Sequence, residues 1–433
     1  MPDWNDSYAN FRLNFEQRSE RAKELLKAAR AGEPDALTRF KSPPKLAEAQ
    51  YLIAQELRCE SWAALKRHIA DMTLAKEAMN SSVLDGEYRT LHVRCGVDIK
   101  DSLQEAGFRG DFYAHDYPYL MGPVREAPDC LRQRARFIVD SYGEFFDPPL
   151  QSVGQPEDVE GQLEALEGKE RELDDSADYE RVCLWFEHDC YDQLALVRLL
   201  GHYARQRRPP RLELIAIGDF PGAKRFDGLG ELPPEALRLL WTTRKPVTGA
   251  QLALGLAAWR ALANPDPRPL AAIMHSGTAA LPLLARALHR HLRELPSIVN
   301  GLSLTEELAL TLMAEPLPHW DGTVNLRKIF WTMVLHTDPL PGQGDWSVRR
   351  RLLNMESTSA PVFHRSPGLD REGKAHPPAT DVYVITELGR CVLRGEVDFR
   401  SLNPTPRWVG GVEIAPGRAD WRWDEELRSV VRR

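Results

Sequence analysis

The spacing of apolar residues changes period several times along the chain. From residue 8 to 79 they recur every three or four positions. "SERAKELLKAARAGEPDALTRF" carries one such stripe and stops near "KSPP". "KLAEAQYLIAQELRCESWAALKRHIADM" carries a second, with Ser61 placed to cap a helix through Trp62, Leu65 and Ile69. The pattern predicts an all-helical leader over 1–80. "NSSVLDGEYR" then reads as a linker.

Beyond it the pattern alternates. "TLHVRCGVDI" (90–99) is β-rich, "IKDSLQEAGF" is helical, and "GDFYAHDYPYLMGPV" (110–124) is a strand running into a Pro/Gly loop. "CLRQRARFIVDSYGEFF" is helical, and "QPEDVEGQLEALEGKERELDD" is an acidic, solvated helix. "RVCLWFEHD" (181–189) has no polar alternation, as expected of a strand buried on both faces. "CYDQLALVRLLGHYARQ" is its following helix and "RLELIAIGDF" (211–220) a fourth strand. Strands alternating with helices predict an α/β domain over 88–232: a mostly parallel, three-layer, Rossmann-like sheet. Pro233 to Pro296 reads as a helical extension, taken as 233–300.

The last segment, 301–433, changes character again. "LSLTEELALTLMAE" starts with Ser303 and Glu306 in a capping-box pattern. "VYVITELGRCVLRGEV" reads as a strand, a Thr-capped helix and a Gly stop. Together these predict a winged-helix-like α+β domain.

Each predicted strand ends in polar residues. The first ends at Gly96 and Asp98, the second at His115 and Asp116, the third at Glu187, His188 and Asp189, the fourth at Gly218 and Asp219. In an open parallel sheet those ends share one edge, where ligands bind. Strand ends are also turns, and Asp and Gly are common there for backbone reasons. Asp189 in particular is placed to cap the next helix, and Asp192 to favour its first turn. On the functional reading, Asp116, Glu187 and Asp189 form the expected catalytic set. Gly96, Asp98, His115, His188, Asp192, Gln193 and Asp219 form the expected ligand-binding set.

Several carboxylates with a histidine suit a hard divalent ion such as magnesium, or general acid–base work. The sequence contains no HExxH, GxxxxGK[ST] or GxSxG, and "CGVD" lacks the later glycines of a dinucleotide fingerprint. Of the six cysteines none forms a CxxC pair. Cys190, at a predicted helix start, is a better nucleophile than Cys183 in the third strand, although packing explains both.

Composition narrows the classes. The chain has 433 residues, 43% of them hydrophobic and 27% charged, with a net charge of -7. That charge argues against tight nucleic-acid binding, despite the basic patch "SVRRRLLN" (347–354). No apolar run approaches the ~18 residues that span a bilayer. The start of the chain is polar and unlike a secretory signal. Scattered thiols fit a cytoplasmic protein.

The runs "LHVRCGVD", "AHDYPYLMGPV" and "LWFEHDCYDQLALVRLL" together resemble the bacterial family called domain of unknown function eighteen-thirty-five. The likeness continues through "ALPLLARALHRHLRELPSIVNGLSLTEE" and the tail "RWVGGV" after "NP", and covers most of 90–424. Val97 separates Gly96 from Asp98, a departure from the Gly-Asp that the resemblance implies. The family supports the domain layout and supplies no reaction. Two functional expectations follow. One is metal-assisted chemistry on a nucleotide or phosphate-bearing small molecule at the strand ends. The other is a ligand-sensing or scaffold protein whose winged-helix-like domain meets DNA or a protein partner.

Overall fold

A computed structural model describes residues 8–79, 81–142, 158–223, 225–356, 358, 360–368, 380–402 and 406–433. It is a mixed α/β protein that divides into two compact units. Their segments alternate along the chain. The first takes residues up to His115, Ser176–His188 and Arg208–Val247; the second takes Asp116–Asp175, Asp189–Arg207 and Thr248–Arg433.

The first unit holds a five-stranded sheet. Its strands are β1 (Thr90–Arg94), β2 (Asp111–Ala114), β3 (Arg181–Phe186), β4 (Arg211–Ala216) and β5 (Lys245–Pro246). Their order is β2-β1-β3-β4-β5, with only the β4–β5 pair antiparallel. The four parallel strands lie where the apolar runs predict them. β5 interrupts the stretch from Pro233 that reads as helical. It is two residues long and includes a proline, which an edge strand tolerates because one side needs no ladder N–H. Every residue of β3 is buried, as its unbroken apolar run requires.

The leader folds as α1 (Phe15–Arg30), α2 (Pro34–Leu37), α3 (Leu46–Glu56) and α4 (Trp62–Ala78). Ala22, Ala49, Ile53 and Leu65 form its own small core. The Ser61 hydroxyl accepts the Ala64 amide, the predicted cap. Two further helices, α5 (Lys100–Glu105) and α9 (Pro234–Trp241), join the main core, where Ile99, Phe108, Trp185, Leu237 and Trp241 pack together. The segment read as a linker is anchored. Asp85 is 2% exposed and accepts hydrogen bonds from His92 Nε2 (2.9 Å) and the Arg109 and Gly110 amides. Burial pushes its carboxyl up, but those hydrogen bonds outweigh burial and hold it below the usual range.

The second unit is helical with small hairpins. Its helices α6 (Cys130–Tyr142), α7 (Val159–Asp175), α8 (Cys190–Arg205) and α10 (Gly249–Leu262) bear on the site below. The helical reading of "EFF" past Tyr142 lies outside the described residues. α8 and α10 cross closely, since a Cβ on Gly255 would meet Leu200 and one on Gly201 would meet Trp259. α11 (Arg268–Ser276) and α12 (Leu284–Leu292) follow.

Next come α13 (Leu304–Ala314), α14 (Leu326–Thr332), α15 (Asp345–Glu356), the hairpin β6 (Phe363–Ser366) and β7 (Val382–Ile385), and α16 (Glu387–Leu393). Leu310, Ile329, Val348, Phe363 and Val392 share their core. Ser303 and Glu306 form the expected capping box, and Thr386 caps α16. α17 (Phe399–Leu402) and the hairpins β8 (Arg407–Val409) with β9 (Val412–Ile414) and β10 (Trp421–Asp424) with β11 (Ser429–Arg432) complete the unit. The "NP" that carries part of the family likeness falls outside the described residues. Among those described, no helix is long and apolar enough to cross a membrane.

Candidate functional site

At the strand ends of the first unit the chemistry is governed by Arg94, which the motif reading passed over. It closes β1 and is 3% exposed. Its guanidinium donates to Asp98 through Nε (3.1 Å) and Nη2 (3.0 Å), and Nη2 also lies 3.0 Å from Glu187 Oε2. Two of the predicted acids, Asp98 and Glu187, thus share one cation. The Leu229 amide donates to Glu187 as well. The turn 228–230 packs so tightly on both acids that a Cβ on Gly228 would sit 2.5 Å from Glu187 Oε1. One on Gly230 would sit 2.9 Å from Asp98 Oδ2. In the same turn Glu231 accepts the Asp227 amide, while burial raises its carboxyl to about 7 and raises that of Asp227 too.

The remaining predicted residues have varied settings. Gly96 is the turn beside Asp98. His115 is fully buried, with Nδ1 3.1 Å from the Tyr113 hydroxyl. His188 lies against the Phe226 ring, centroids 5.8 Å apart. Asp219 is half exposed, 3.9 Å from Arg58 of the leader. Asp116 pairs with Lys169. Asp189 caps α8, its Oδ1 accepting the Asp192 amide at 2.7 Å, and Asp192 and Gln193 are each 1% exposed. Burial raises the thiols of Cys183 and Cys190 well above the ordinary range, which keeps them protonated.

Along the six consecutive residues 187–192, carboxylate oxygens of Glu187, Asp189 and Asp192 come within 4.8 Å of one another. The donor set is poor for magnesium. Arg94 already neutralises Glu187, and the Asp189 oxygen is committed to the cap. A divalent ion there would face a guanidinium, which repels it.

The second unit contains a cavity of about 450 Å³. Tyr117, Tyr119, Trp259, Arg134, Arg198 and Arg205 are among its walls. The tyrosines belong to the Pro-rich loop after β2. Tyr119 meets Trp259 edge-on, centroids 5.1 Å apart, and the Arg198 guanidinium lies 5.3 Å from the Trp259 ring centre. Burial raises both tyrosine hydroxyls, which therefore stay protonated.

The charges in this cavity do not cancel locally. Arg198 pairs with Glu170, and Arg205 with Glu126 at 2.7 Å. Arg134 is 3% exposed and, among the described residues, donates only to the carbonyls of Pro118 (2.9 Å) and Pro123 (3.3 Å). Its Nε has no hydrogen-bond partner, and no carboxylate pairs with it among the described residues. It lies 5.1 Å from the Tyr119 ring centre. Helical spacing explains the position. In α6, Arg132 and Arg136 are exposed, whereas Arg134 falls beside Ala135 on the buried face. A basic residue interrupting an apolar stripe was the available signal.

No family model matches the chain, and no curated protein matches it.

Proposed function

We propose that this chain binds a phosphate-bearing aromatic small molecule of the nucleotide type, and that the binding site is the Tyr117–Arg134–Trp259 cavity. One observation carries the reading: Arg134 is a buried guanidinium that pairs with no carboxylate among the described residues, on the wall of a cavity with aromatic sides. A buried cation is costly unless paired. A ligand oxyanion would supply the missing charge, while an aromatic base would lie against Tyr119 or Trp259. The volume is of the size that small-molecule sites use. The strand order β2-β1-β3-β4 supports calling the sheet Rossmann-like. The ordered motifs at 90–200 support kinship with the domain of unknown function eighteen-thirty-five family.

The test is calorimetric titration with the four common nucleoside monophosphates and their parent nucleosides. At least one monophosphate should bind tenfold or more tighter than its nucleoside. Arg134→Gln should abolish that preference while the far-ultraviolet circular dichroism stays unchanged. A variant that keeps the parent's preference, or a parent that binds no monophosphate, overturns the proposal.

A second reading concerns residues 301–393. The order α13, α14, α15, β6, β7, with a bridge from Asn325 to Val382, supports a winged-helix-like module. In this reading α15 would serve as the recognition helix. Yet its Arg351 turns inward to Glu294 (2.8 Å), and Val348, Leu352 and Met355 are buried. That favours a protein partner over DNA. Tight, salt-sensitive binding to duplex DNA that is lost on neutralising Arg349 and Arg350 would reverse this preference.

A further inference from the structure

Two carboxylates, Glu126 and Glu170, stand on the wall of the aromatic cavity, and they are held differently. Glu170 pairs with Arg198, whose guanidinium also lies against the Trp259 ring. That pair is inset, with the Arg198 side chain 11% exposed. Glu126 pairs with Arg205 at 2.7 Å, and both of these side chains are 37% exposed. A second cation, Arg260, lies 3.9 Å from the other oxygen of Glu126. Two arginines thus share one acid.

Glu126 and Arg205 are each tethered without the other. Arg205 ends α8, and its Nε donates to the Gly201 carbonyl at 3.2 Å. Glu126 lies between Pro123 and Pro128, in the loop whose Pro118 and Pro123 carbonyls accept from Arg134. Loop and guanidinium therefore keep their places when the pair opens. A half-exposed ion pair contributes little to stability, because water competes for both charges. Opening it costs correspondingly little, and Arg260 is at hand for the released carboxylate.

A phosphate monoester carries close to two negative charges at neutral pH. Arg134 can match one of them, and the second needs another cation of the same wall. Arg198 is inset with Glu170, and Arg125 lies over the ring of Trp408, 4.8 Å from its centre and outside this wall. Arg205 is left, with a partner that is readily exchanged. We propose that Glu126 is a displaceable internal counter-ion, which Arg205 exchanges for the ligand's phosphate and which sets how readily an anion enters the cavity. The inference rests on the proposed ligand site and adds the residue that governs its selectivity for anions.

Cys130, half-buried on the same wall, allows a test that needs no nucleotide. Its alkylation in the full chain by iodoacetate, an anion, and by neutral iodoacetamide is followed by peptide mass spectrometry. The ratio of the two rates cancels any change in the thiol's own reactivity. Cys391, also half-buried but not on this wall, is the internal reference. Glu126→Gln should raise the iodoacetate-to-iodoacetamide ratio at Cys130 about two- to fivefold, and Arg205→Gln should lower it. Asp129→Asn removes an exposed charge next to Cys130 that is not on the wall, and should change the ratio by about 1.5-fold at most. An unchanged ratio in Glu126→Gln, or an equal rise in Asp129→Asn, overturns the proposal.

Calorimetry with nucleoside monophosphates separates this outcome from that of the ligand reading. Glu126→Gln should tighten monophosphate binding about two- to fivefold and leave the parent nucleoside unchanged. Weaker monophosphate binding would make Glu126 an anchor of the loop and overturn the exchange. If neither the parent nor Glu126→Gln binds a monophosphate while the alkylation ratio still rises, the nucleotide reading falls and the control of anion entry by Glu126 stands.

Discussion

Arg94 and Arg134 are equally buried, each 3% exposed, yet their surroundings are opposite. Arg94 ends a strand and is clasped by Asp98 and Glu187, over which the turn 228–230 closes. Arg134 sits mid-helix with two carbonyls and, among the described residues, no paired acid, and it lines a cavity. Burial alone therefore says little about function. A buried charge that its own fold neutralises is architecture, whereas one without a paired counter-charge beside open space is what the proposed ligand site rests on.

Substitution should separate the two most sharply. Arg94→Leu strands Glu187 as a buried carboxylate, and its loss should cost ~3–5 kcal/mol in urea unfolding. Arg134→Met removes a charge that no described carboxylate pairs with, and should change stability by about 1 kcal/mol or less. Equal losses for the two would erase the distinction.

A pH series sharpens it further. The Glu231 carboxyl, in the turn that closes over Arg94's acids, is raised to about 7 by burial. Between its ordinary pKa and 7 the folded chain holds a proton that the unfolded chain has released. Its contribution to stability is therefore complete at low pH and is lost as pH rises through 7. After discounting for partial exposure, the loss should be about 1 kcal/mol. Glu231→Gln should flatten that part of the profile, measured as thermal midpoints from pH 5 to 8. An unchanged profile would mean that the turn is not as closed as the packing of Gly228 and Gly230 implies.

The smallest expected effect concerns Asp189. Its side chain caps α8, and Asn caps about as well as Asp, so Asp189→Asn should cost no more than ~0.5 kcal/mol. A larger loss, or weakened divalent-ion binding in a stable variant, would restore the run 187–192 as a functional cluster.

The four parallel strands were legible because strand periodicity and short apolar runs are local signals. The caps at Ser61, Ser303 and Thr386 were legible for the same reason, since the capping residue and its amide are three positions apart. Strand order and the edge strand β5 are not local and left no such trace. The strand-end acids were found, but their neutralisation by Arg94 joins residues far apart in sequence, and motif inspection weighs acids without their counter-ions. Arg134 was overlooked because "RQRAR" reads as solvated charge until helical phase is applied to each arginine in turn. Asp85 was hidden in a stretch whose composition suggests only a linker.

The alternation of the two units along the chain has a consequence for how the protein comes off the ribosome. The first unit cannot be completed before Val247 has emerged, by which time two segments of the second have already been made. Those segments, 116–175 and 189–207, must wait for partners that begin at Thr248. Only the leader, whose core from Ala22 to Leu65 is contiguous, has what it needs from the start. Apolar surface on α8, eventually covered by α10, stays exposed in the interval, so synthesis speed and chaperone access should govern the yield of folded chain. For the same reason neither unit can be excised as one uninterrupted fragment.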